Sequence, residues 1–358
     1  MRQRLRNKGL YKWLRRQVWR RQRPHAPRRG PRSHVIILDG TMSSLRQGCE
    51  THAGMTYKLI CEAGSDVSIY YEPGLQWTDW RATWSIMTGK GINRQIRRAY
   101  GYLASRYRPG DRIFLFGYSR GAYAVRSLAG LIDQVGLLEP RHATQRNIDM
   151  AYRHYQCAPH GTAATSFRTH LCHEATPIEM IGVWDTVKAL GLRLPLLWRF
   201  SDPSHAFHNH ALGASIKHGF HALAHDERRQ AYAPVLWAVP AAHEGRVEQV
   251  WFPGNHGDVG GQIDGREQAR PLANLSLVWL LGRAEACGLA LPQGWRARFP
   301  ADPQAPSMGR WVGWSKLFVL RKKRPVLQDR SERLHASVLA RKSPVTIRAR
   351  VSAIMSHR

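Results

Sequence analysis

One serine of this 358-residue chain lies in a pattern that is typical of a catalytic nucleophile. Ser119 is the centre of the pentapeptide Gly-Tyr-Ser-Arg-Gly, with Gly117 and Gly121 two residues away on either side. Between a strand and a helix, G-x-S-x-G forms a turn so sharp that only small residues fit beside the serine, and its hydroxyl is exposed. The apolar run RIFLFG precedes the pentapeptide, and the helix-like stretch AYAVRSLAGLID follows it. We therefore predict a nucleophile elbow at Ser119, with a plain strand–helix turn as the alternative.

A serine hydroxyl is a weak nucleophile unless a histidine accepts its proton and a carboxylate orients that histidine. Asp185 follows the apolar run IEMIGVW directly, where such an acid is expected, although an Asx turn or a helix N-cap would also suit it. Of the eighteen histidines we select His256, because the glycine-rich loop WFPGNHGDVGG follows the run VEQVWF. Three other histidines, in a helix-like stretch or in the basic tail, are expected at the surface or in packing roles: His221, His225 and His335.

An acyl-transfer site also needs donors for the negative oxygen that forms during the reaction. The backbone N–H of Arg120, at the start of the helix after Ser119, is the first candidate. The second is an amide of Gly40 or Thr41, in the turn after the early apolar run HVIIL. The sequence does not decide between these two residues.

No pattern in the sequence indicates a metal or another cofactor. Asp258, two residues after His256, is expected to support the histidine loop, because the spacing of NHGD matches no metal-ligand pattern. The five cysteines are scattered and form no C-x-x-C pair, which argues against a zinc ribbon or a disulfide framework and favours a reducing compartment.

The elements that position these residues alternate between strands and helices. Because the strands are apolar on both faces, we predict an α/β fold of the α/β-hydrolase type, with a mostly parallel sheet covered by helices on both faces. The predicted strands cover residues 34–38, 66–74, 112–117, 178–184 and 247–252, and the predicted helices cover residues 54–64, 92–107, 122–133 and 272–288.

The net charge of +29 is concentrated at the two ends of the chain. Residues 1–33 carry thirteen Lys and Arg and no acid, and residues 310–358 carry thirteen against two acids. We predict a basic, flexible or amphipathic extension over 1–33, a catalytic domain over 34–300, and a basic extension over 301–358 that packs partly on the core. Peripheral contact of these ends with an anionic membrane is one interpretation, and the absence of such a role is another. Nucleic acid is disfavoured as a partner, and the oligomeric state is not indicated.

The N-terminal sequence lacks the apolar run of a secretory signal, and no run of about eighteen apolar residues predicts a transmembrane helix. We therefore expect a cytoplasmic protein, or one exported by a system that needs no signal peptide.

Six segments, in order between about residues 34 and 290, resemble one α/β-hydrolase domain family that includes the catalytic domain of bacterial type VI secretion phospholipase effectors. They are LDGT, YYEPG, PGDRIFLFGYSRGAYAVRSLAGLI, IGVWDTV, LAHDERRQAYAPVLW and VEQVWFPGNHGDVGG, with a weaker match in ERLHASVLAR. The resemblance implies a Ser-Asp-His triad at Ser119, Asp185 and His256. The chain departs from these effectors in lacking their long membrane-docking region and in having Gly257 where a serine is expected after the histidine.

The sequence thus predicts a serine hydrolase that cleaves a carboxylic ester, and the resemblance implies a lipid or phospholipid acyl ester. Two alternatives stay open. One is a small-molecule carboxylesterase or thioesterase, and the other is a catalytically silent hydrolase fold that binds an anionic membrane or polymer through its basic ends.

Overall fold

A parallel sheet of seven strands lies at the centre of the fold in a computed structural model of the protein. The strands lie side by side in the order β2-β1-β3-β4-β5-β6-β7, and each neighbouring pair is parallel. Their bounds are β1 Ser33–Leu38, β2 Val67–Glu72, β3 Arg112–Tyr118, β4 Ile178–Trp184, β5 Ile216–Ala224, β6 Arg246–Phe252 and β7 Glu332–Leu334. All carboxyl ends therefore meet at one edge of the sheet, where the loops after β3, β4 and β6 come together.

Helices cover both faces of the sheet and form two cores. Ile36 and Leu38 of β1 lie in one core, and Val35 and Ile37 lie in the other, since successive side chains of a strand point to opposite faces. This arrangement confirms the predicted α/β class. The helices are α1 His52–Glu62, α2 Lys90–Arg106, α3 Arg120–Val135, α4 Gln145–Cys157, α5 Thr162–Leu171, α6 His256–Gly260, α7 Arg270–Ala286 and α8 Ala336–Ala340.

The stretch around His221 was expected to be helix-like, and this expectation is wrong. Residues 216–224 form β5, which pairs with both β4 and β6. His221 is fully buried, and its Nε2 accepts the N–H of Thr186 at 3.1 Å, so it has a packing role. Two polar histidines interrupt the apolar run of this strand and conceal its period. His225, directly after the strand, is partly exposed, and the ring of His335 stacks on Phe252.

The structure describes residues 29–64, 66–74, 90–187, 212–239, 243, 245–309 and 320–341. The described residues from Arg32 onward belong to one compact unit. The predictions for most of the basic ends fall on residues 1–28, 310–319 and 342–358, outside the described residues. Within the described part of the C-terminal region, β7 pairs with β6. No helix among the described residues is long and apolar enough to cross a membrane.

Candidate active site

Ser119 lies on the turn between β3 and α3 in a strained backbone conformation. Its φ is 56° and its ψ is −119°, a combination that costs a non-glycine residue free energy. The N–H of Ser119 continues the sheet by donating to the oxygen of Trp184 at 3.0 Å. Its own oxygen accepts the N–H of Tyr123 at 3.2 Å and so starts α3. The turn from strand to helix is therefore completed within this one residue.

The two glycines of the pentapeptide are needed because backbone atoms approach them closely. A Cβ on Gly121 would lie 2.1 Å from the oxygen of Leu38, and a Cβ on Gly117 would lie 2.6 Å from Cα of Ala122. No side chain fits at either distance, so the elbow depends on both glycines.

The structure brings Ser119, Asp185 and His256 together, although they follow three different strands, β3, β4 and β6. The Nε2 atom of His256 is 2.9 Å from the Oγ of Ser119. On the other side of the ring, Nδ1 is 2.6 Å from Oδ2 of Asp185. The exposed fractions are 7% for Ser119, 4% for His256 and 0% for Asp185, so the contacts are shielded from water. The arrangement can relay a proton from the serine hydroxyl to the imidazole.

Four donors surround the carboxylate of Asp185. Its Oδ2 accepts from His256 and from Nη2 of Arg324 at 2.9 Å. Its Oδ1 accepts from Nη1 of Arg324 at 2.6 Å and from the N–H of Ala224 at 3.1 Å. Burial alone would raise the pKa of Asp185, but the charge of Arg324 and the hydrogen bonds from His256 and Arg324 outweigh it and lower that pKa. Asp185 is therefore an anion despite its burial.

Two aromatic rings and a second ion pair enclose His256. Its ring stacks on Tyr118 at 4.9 Å between centroids and contacts Tyr232 at 4.7 Å. The backbone N–H of His256 donates to Oε2 of Glu227 at 3.2 Å, and Glu227 is paired with Arg229. Burial lowers the pKa of His256; the hydrogen bond and charge of Asp185 oppose this effect, and the charge of Arg229 adds to it. The imidazole is thus neutral at neutral pH and is able to accept a proton.

Asp258 fixes the loop that carries His256. Its Oδ2 accepts the N–H of Asn255 at 2.9 Å and the hydroxyl of Ser307 at 2.5 Å, while its Oδ1 accepts the N–H of Met308 at 2.8 Å. The side chain of Asn255 in turn caps α6, so the two residues form a capping box. Burial raises the pKa of Asp258 to about 6. These contacts suit the supporting role that the sequence predicts for this residue.

The predicted donors for a negative oxygen are backbone N–H groups near Ser119. Gly40 lies beside the nucleophile, since a Cβ built on it would be 3.4 Å from Cβ of Ser119. Its N–H donates to Oδ1 of Asp39 at 2.6 Å in this structure, so Gly40 would have to give up this hydrogen bond to act as a donor. The N–H of Arg120, the first residue of α3, and an N–H of Gly40 or Thr41 stay the candidates.

Sequence reasoning missed several residues that contact the site. Glu227, Arg229 and Tyr232 lie in the segment LAHDERRQAYAPVLW, whose resemblance to the family was a usable signal. Arg324 belongs to the basic run RKKR, which offered no signal that distinguished it from its neighbours. Within the described ranges, no group of three or more His, Cys, Asp or Glu residues is arranged to hold a metal ion.

Comparisons with known proteins match this chain to a family model and to several proteins of similar sequence or structure. An uncharacterised protein of Saccharomyces cerevisiae is 26% identical over 222 residues, which cover 54% of this chain and 31% of that protein. The crystal structure of an uncharacterised protein from Pseudomonas aeruginosa is 15% identical with a TM-score of 0.43, covering 88% of this chain and 54% of that one. The structure of the Tle1 effector bound to the VgrG spike from the type VI secretion system is 16% identical with a TM-score of 0.31, covering 66% and 52%.

The chain therefore spans about a third of the yeast protein and about half of each solved chain. The family model described as the catalytic domain of the Tle1-like phospholipase effectors of the type VI secretion system (T6SS) matches residues 32–283. This match covers most of the chain and confirms the family resemblance of its motifs. The chain belongs to the family of Tle1-like T6SS phospholipase effector catalytic domains.

Proposed function

We propose that this protein is a serine hydrolase that cleaves an acyl ester of a lipid or phospholipid. Ser119 is the nucleophile, His256 is the general base and acid, and Asp185 orients His256. The observation that carries the proposal is the unbroken contact from Asp185 through His256 to Ser119, at 2.6 and 2.9 Å, in a chain of this family.

In the first half of the reaction, Ser119 Oγ attacks the carbonyl carbon of the ester while its proton passes to Nε2 of His256. The carbonyl oxygen becomes negative and is held by the N–H group of Arg120 and by that of Gly40 or Thr41. When the bond to the alcohol breaks, the alcohol oxygen takes the proton from Nε2, and the acyl group stays on Ser119.

In the second half, a water molecule replaces the alcohol. His256 takes a proton from this water, whose oxygen attacks the acyl carbon, and the same proton returns to Ser119 Oγ as the fatty acid leaves. The products are one alcohol and one carboxylic acid, and the protein returns to its starting state.

The backbone at Ser119 favours an active protein over a catalytically silent fold. A non-glycine residue at φ 56° costs on the order of 1–3 kcal/mol, and proteins keep such strain mainly at functional sites. A fold that only binds a membrane through its basic ends does not require a strained serine in hydrogen-bonding contact with a buried histidine. The lipid substrate class rests on the family, whose description names phospholipase effectors.

A fluorophosphonate probe tests the nucleophile without knowledge of the substrate, because it phosphonylates activated serines. We expect covalent labelling of the wild-type protein and none of Ser119→Ala. Ser127→Ala is the matched control, since Ser127 is a buried serine of α3 whose hydroxyl donates to the oxygen of Tyr123. A wild-type protein that stays unlabelled at every pH refutes the proposal.

Phospholipid vesicles and short p-nitrophenyl esters then test the substrate class. We expect the wild-type protein to release fatty acid from the vesicles, as measured by mass spectrometry of the lipids, and Ser119→Ala to release none. Hydrolysis of the short esters with intact vesicle lipids would instead identify a small-molecule carboxylesterase.

A further inference from the structure

Arg324 contacts the candidate triad from a part of the chain that lies beyond the matched family region, residues 32–283. Its guanidinium binds both carboxylate oxygens of Asp185, through Nη1 to Oδ1 at 2.6 Å and through Nη2 to Oδ2 at 2.9 Å. The same two nitrogens also donate to backbone oxygens, that of Ala224 at 2.9 Å and that of Tyr232. Only 4% of the Arg324 side chain is exposed. This fork of parallel hydrogen bonds is the most specific contact that arginine makes with a carboxylate.

Backbone pairing fixes the segment that delivers this side chain. The N–H of Gln230 donates to the oxygen of Leu320 at 3.0 Å, and the N–H of Lys322 donates to the oxygen of Arg228 at 2.7 Å. These bonds place Arg324 beside the loop after β5, whose Tyr232 contacts the ring of His256. The position of the guanidinium is therefore set by the backbone pairing of its segment with the loop after β5 and not by the arginine side chain alone.

We infer that Arg324 is a positioning residue of the active site, which holds the Asp185 carboxylate in the plane and in the charge state that His256 requires. The inference rests on the proposed function, because Asp185 has this task only if His256 activates Ser119. A bidentate contact fixes the rotation of the carboxylate, so that Oδ2 stays 2.6 Å from Nδ1 of His256. It also supplies the positive charge that a fully buried carboxylate needs to remain ionised.

A positioning role has an electrostatic consequence at His256. Nδ1 of His256 and Nη2 of Arg324 both bind Oδ2, so they lie no more than about 5.5 Å apart, the sum of the two distances. A like charge at this range disfavours the protonated imidazole. The other groups that face His256 are Ser119 and the two rings, from Tyr118 and Tyr232, and the ion pair Glu227–Arg229. Replacement of Arg324 also removes its hydrogen bond to the oxygen of Tyr232 and its charge near Glu227.

Two variants separate the charge of Arg324 from its shape. Arg324→Lys keeps the charge but loses the fork, and Arg324→Gln loses both. The control is Lys323→Gln, the same change of charge at the exposed neighbouring residue. The measurement is the rate of fluorophosphonate labelling of Ser119 between pH 4 and 9, divided by the folded fraction from denaturant unfolding.

We expect Arg324→Gln to label about 10²-fold more slowly than wild type, because a misplaced group at a reacting centre costs about that factor. The acid limb of its labelling rate, where the rate falls as the pH is lowered, should move about one pH unit higher. Removal of a nearby cation raises the proton affinity of His256. Arg324→Lys should recover part of the rate and keep the wild-type acid limb, and Lys323→Gln should match wild type throughout.

A purely structural role gives a different result. If Arg324→Gln lowers stability while its folded fraction labels at the wild-type rate with the wild-type acid limb, the inference is wrong. If Arg324→Gln does not fold, Arg324→Lys decides, since a wild-type rate for that variant overturns the inference. An unlabelled wild-type protein refutes the proposed function instead, so the two failures are distinguishable.

Discussion

The substitution Asp185→Asn should damage both catalysis and stability, because of the number of donors around this side chain. Each carboxylate oxygen accepts one hydrogen bond from Arg324 and one from another group, Ala224 at Oδ1 and His256 at Oδ2. An asparagine offers one acceptor oxygen and one NH2 group. Whichever position the NH2 takes, it faces a donor nitrogen of Arg324. The substituted side chain therefore has no orientation that satisfies its surroundings.

The two losses have different sizes. With its NH2 toward His256, the asparagine imposes the wrong tautomer on the ring, which in a Ser-His-Asp site lowers kcat about 10⁴-fold. In either orientation Arg324 stays buried without its countercharge. Removal of one partner from a buried ion pair costs about 3–5 kcal/mol in the free energy of unfolding. Such a loss is a large fraction of the total stability of an ordinary domain, about 5–15 kcal/mol.

Denaturant unfolding and the labelling rate of Ser119 measure the two losses separately. Asp149→Asn is the matched control, because Asp149 pairs with Arg97 at 2.6 Å but its side chain is 38% exposed. This control should lose less than about 1 kcal/mol, as exposed ion pairs do. The double variant Asp185→Asn, Arg324→Gln should lose less stability than the sum of its single variants. A stability of Asp185→Asn within about 1 kcal/mol of wild type would refute the reasoning.

Three further predictions concern the elbow and two titrating groups. Gly121→Ala should lower the free energy of unfolding by more than about 2 kcal/mol, because its Cβ would lie 2.1 Å from a backbone oxygen. The control Gly161→Ala, whose Cβ would make only ordinary contacts of 3.4 Å, should have a free energy of unfolding within about 1 kcal/mol of wild type in the same denaturant assay. The labelling rate should reach half its maximum below pH 6.5, because His256 acts as a base only when neutral and its pKa is lowered; a midpoint above pH 6.5 would contradict this. The pKa of Asp258 is raised from 3.8 to about 6, so its protonation stabilises the fold at low pH, and this gain is lost as the pH rises through 6. The advantage of wild type over Asp258→Asn in unfolding free energy should therefore be about 1 kcal/mol larger at pH 5 than at pH 7, and a pH-independent difference would argue against it.

The sequence was sufficient to predict the elements whose pattern is local. The apolar runs that became β1 and β3 are continuous, and those of β4 and β6 contain only one and two polar residues, because these strands are largely buried on both faces. Since parallel strands end at one edge of the sheet, a serine, an aspartate and a histidine that each follow such a run were expected to meet. The structure brings Ser119, Asp185 and His256 within hydrogen-bonding distance at that edge.

Features that depend on distant partners could not be predicted in this way. β5 was taken for a helix because His218 and His221 interrupt its apolar pattern, and only its neighbours β4 and β6 make it a strand. Arg324 is one of thirteen cations in residues 310–358 and is 139 residues from Asp185 along the chain. Nothing in its local sequence distinguishes it from Lys322 or Lys323, and only the backbone pairing of its segment turns it inward. Likewise, the hydrogen bond from Gly40 N–H to Asp39 depends on the side-chain conformation of Asp39, which residue types do not encode.

Asp185 has two tasks that oppose each other. A buried carboxylate needs positive charge to stay ionised, and Arg324 supplies it. Catalysis, however, needs the same carboxylate to stabilise the imidazolium that forms when Ser119 loses its proton, and a carboxylate already paired with a guanidinium stabilises a second cation less. Glu227 restores part of the lost stabilisation of the imidazolium. It accepts the backbone N–H of His256 at 3.2 Å, and its charge raises the pKa of the His256 imidazole. The net effect of burial and of these charges is a lowered pKa, so His256 is neutral in the resting protein. The base is therefore available below neutral pH, and its weaker affinity for the proton makes it correspondingly ready to return that proton to the leaving alcohol.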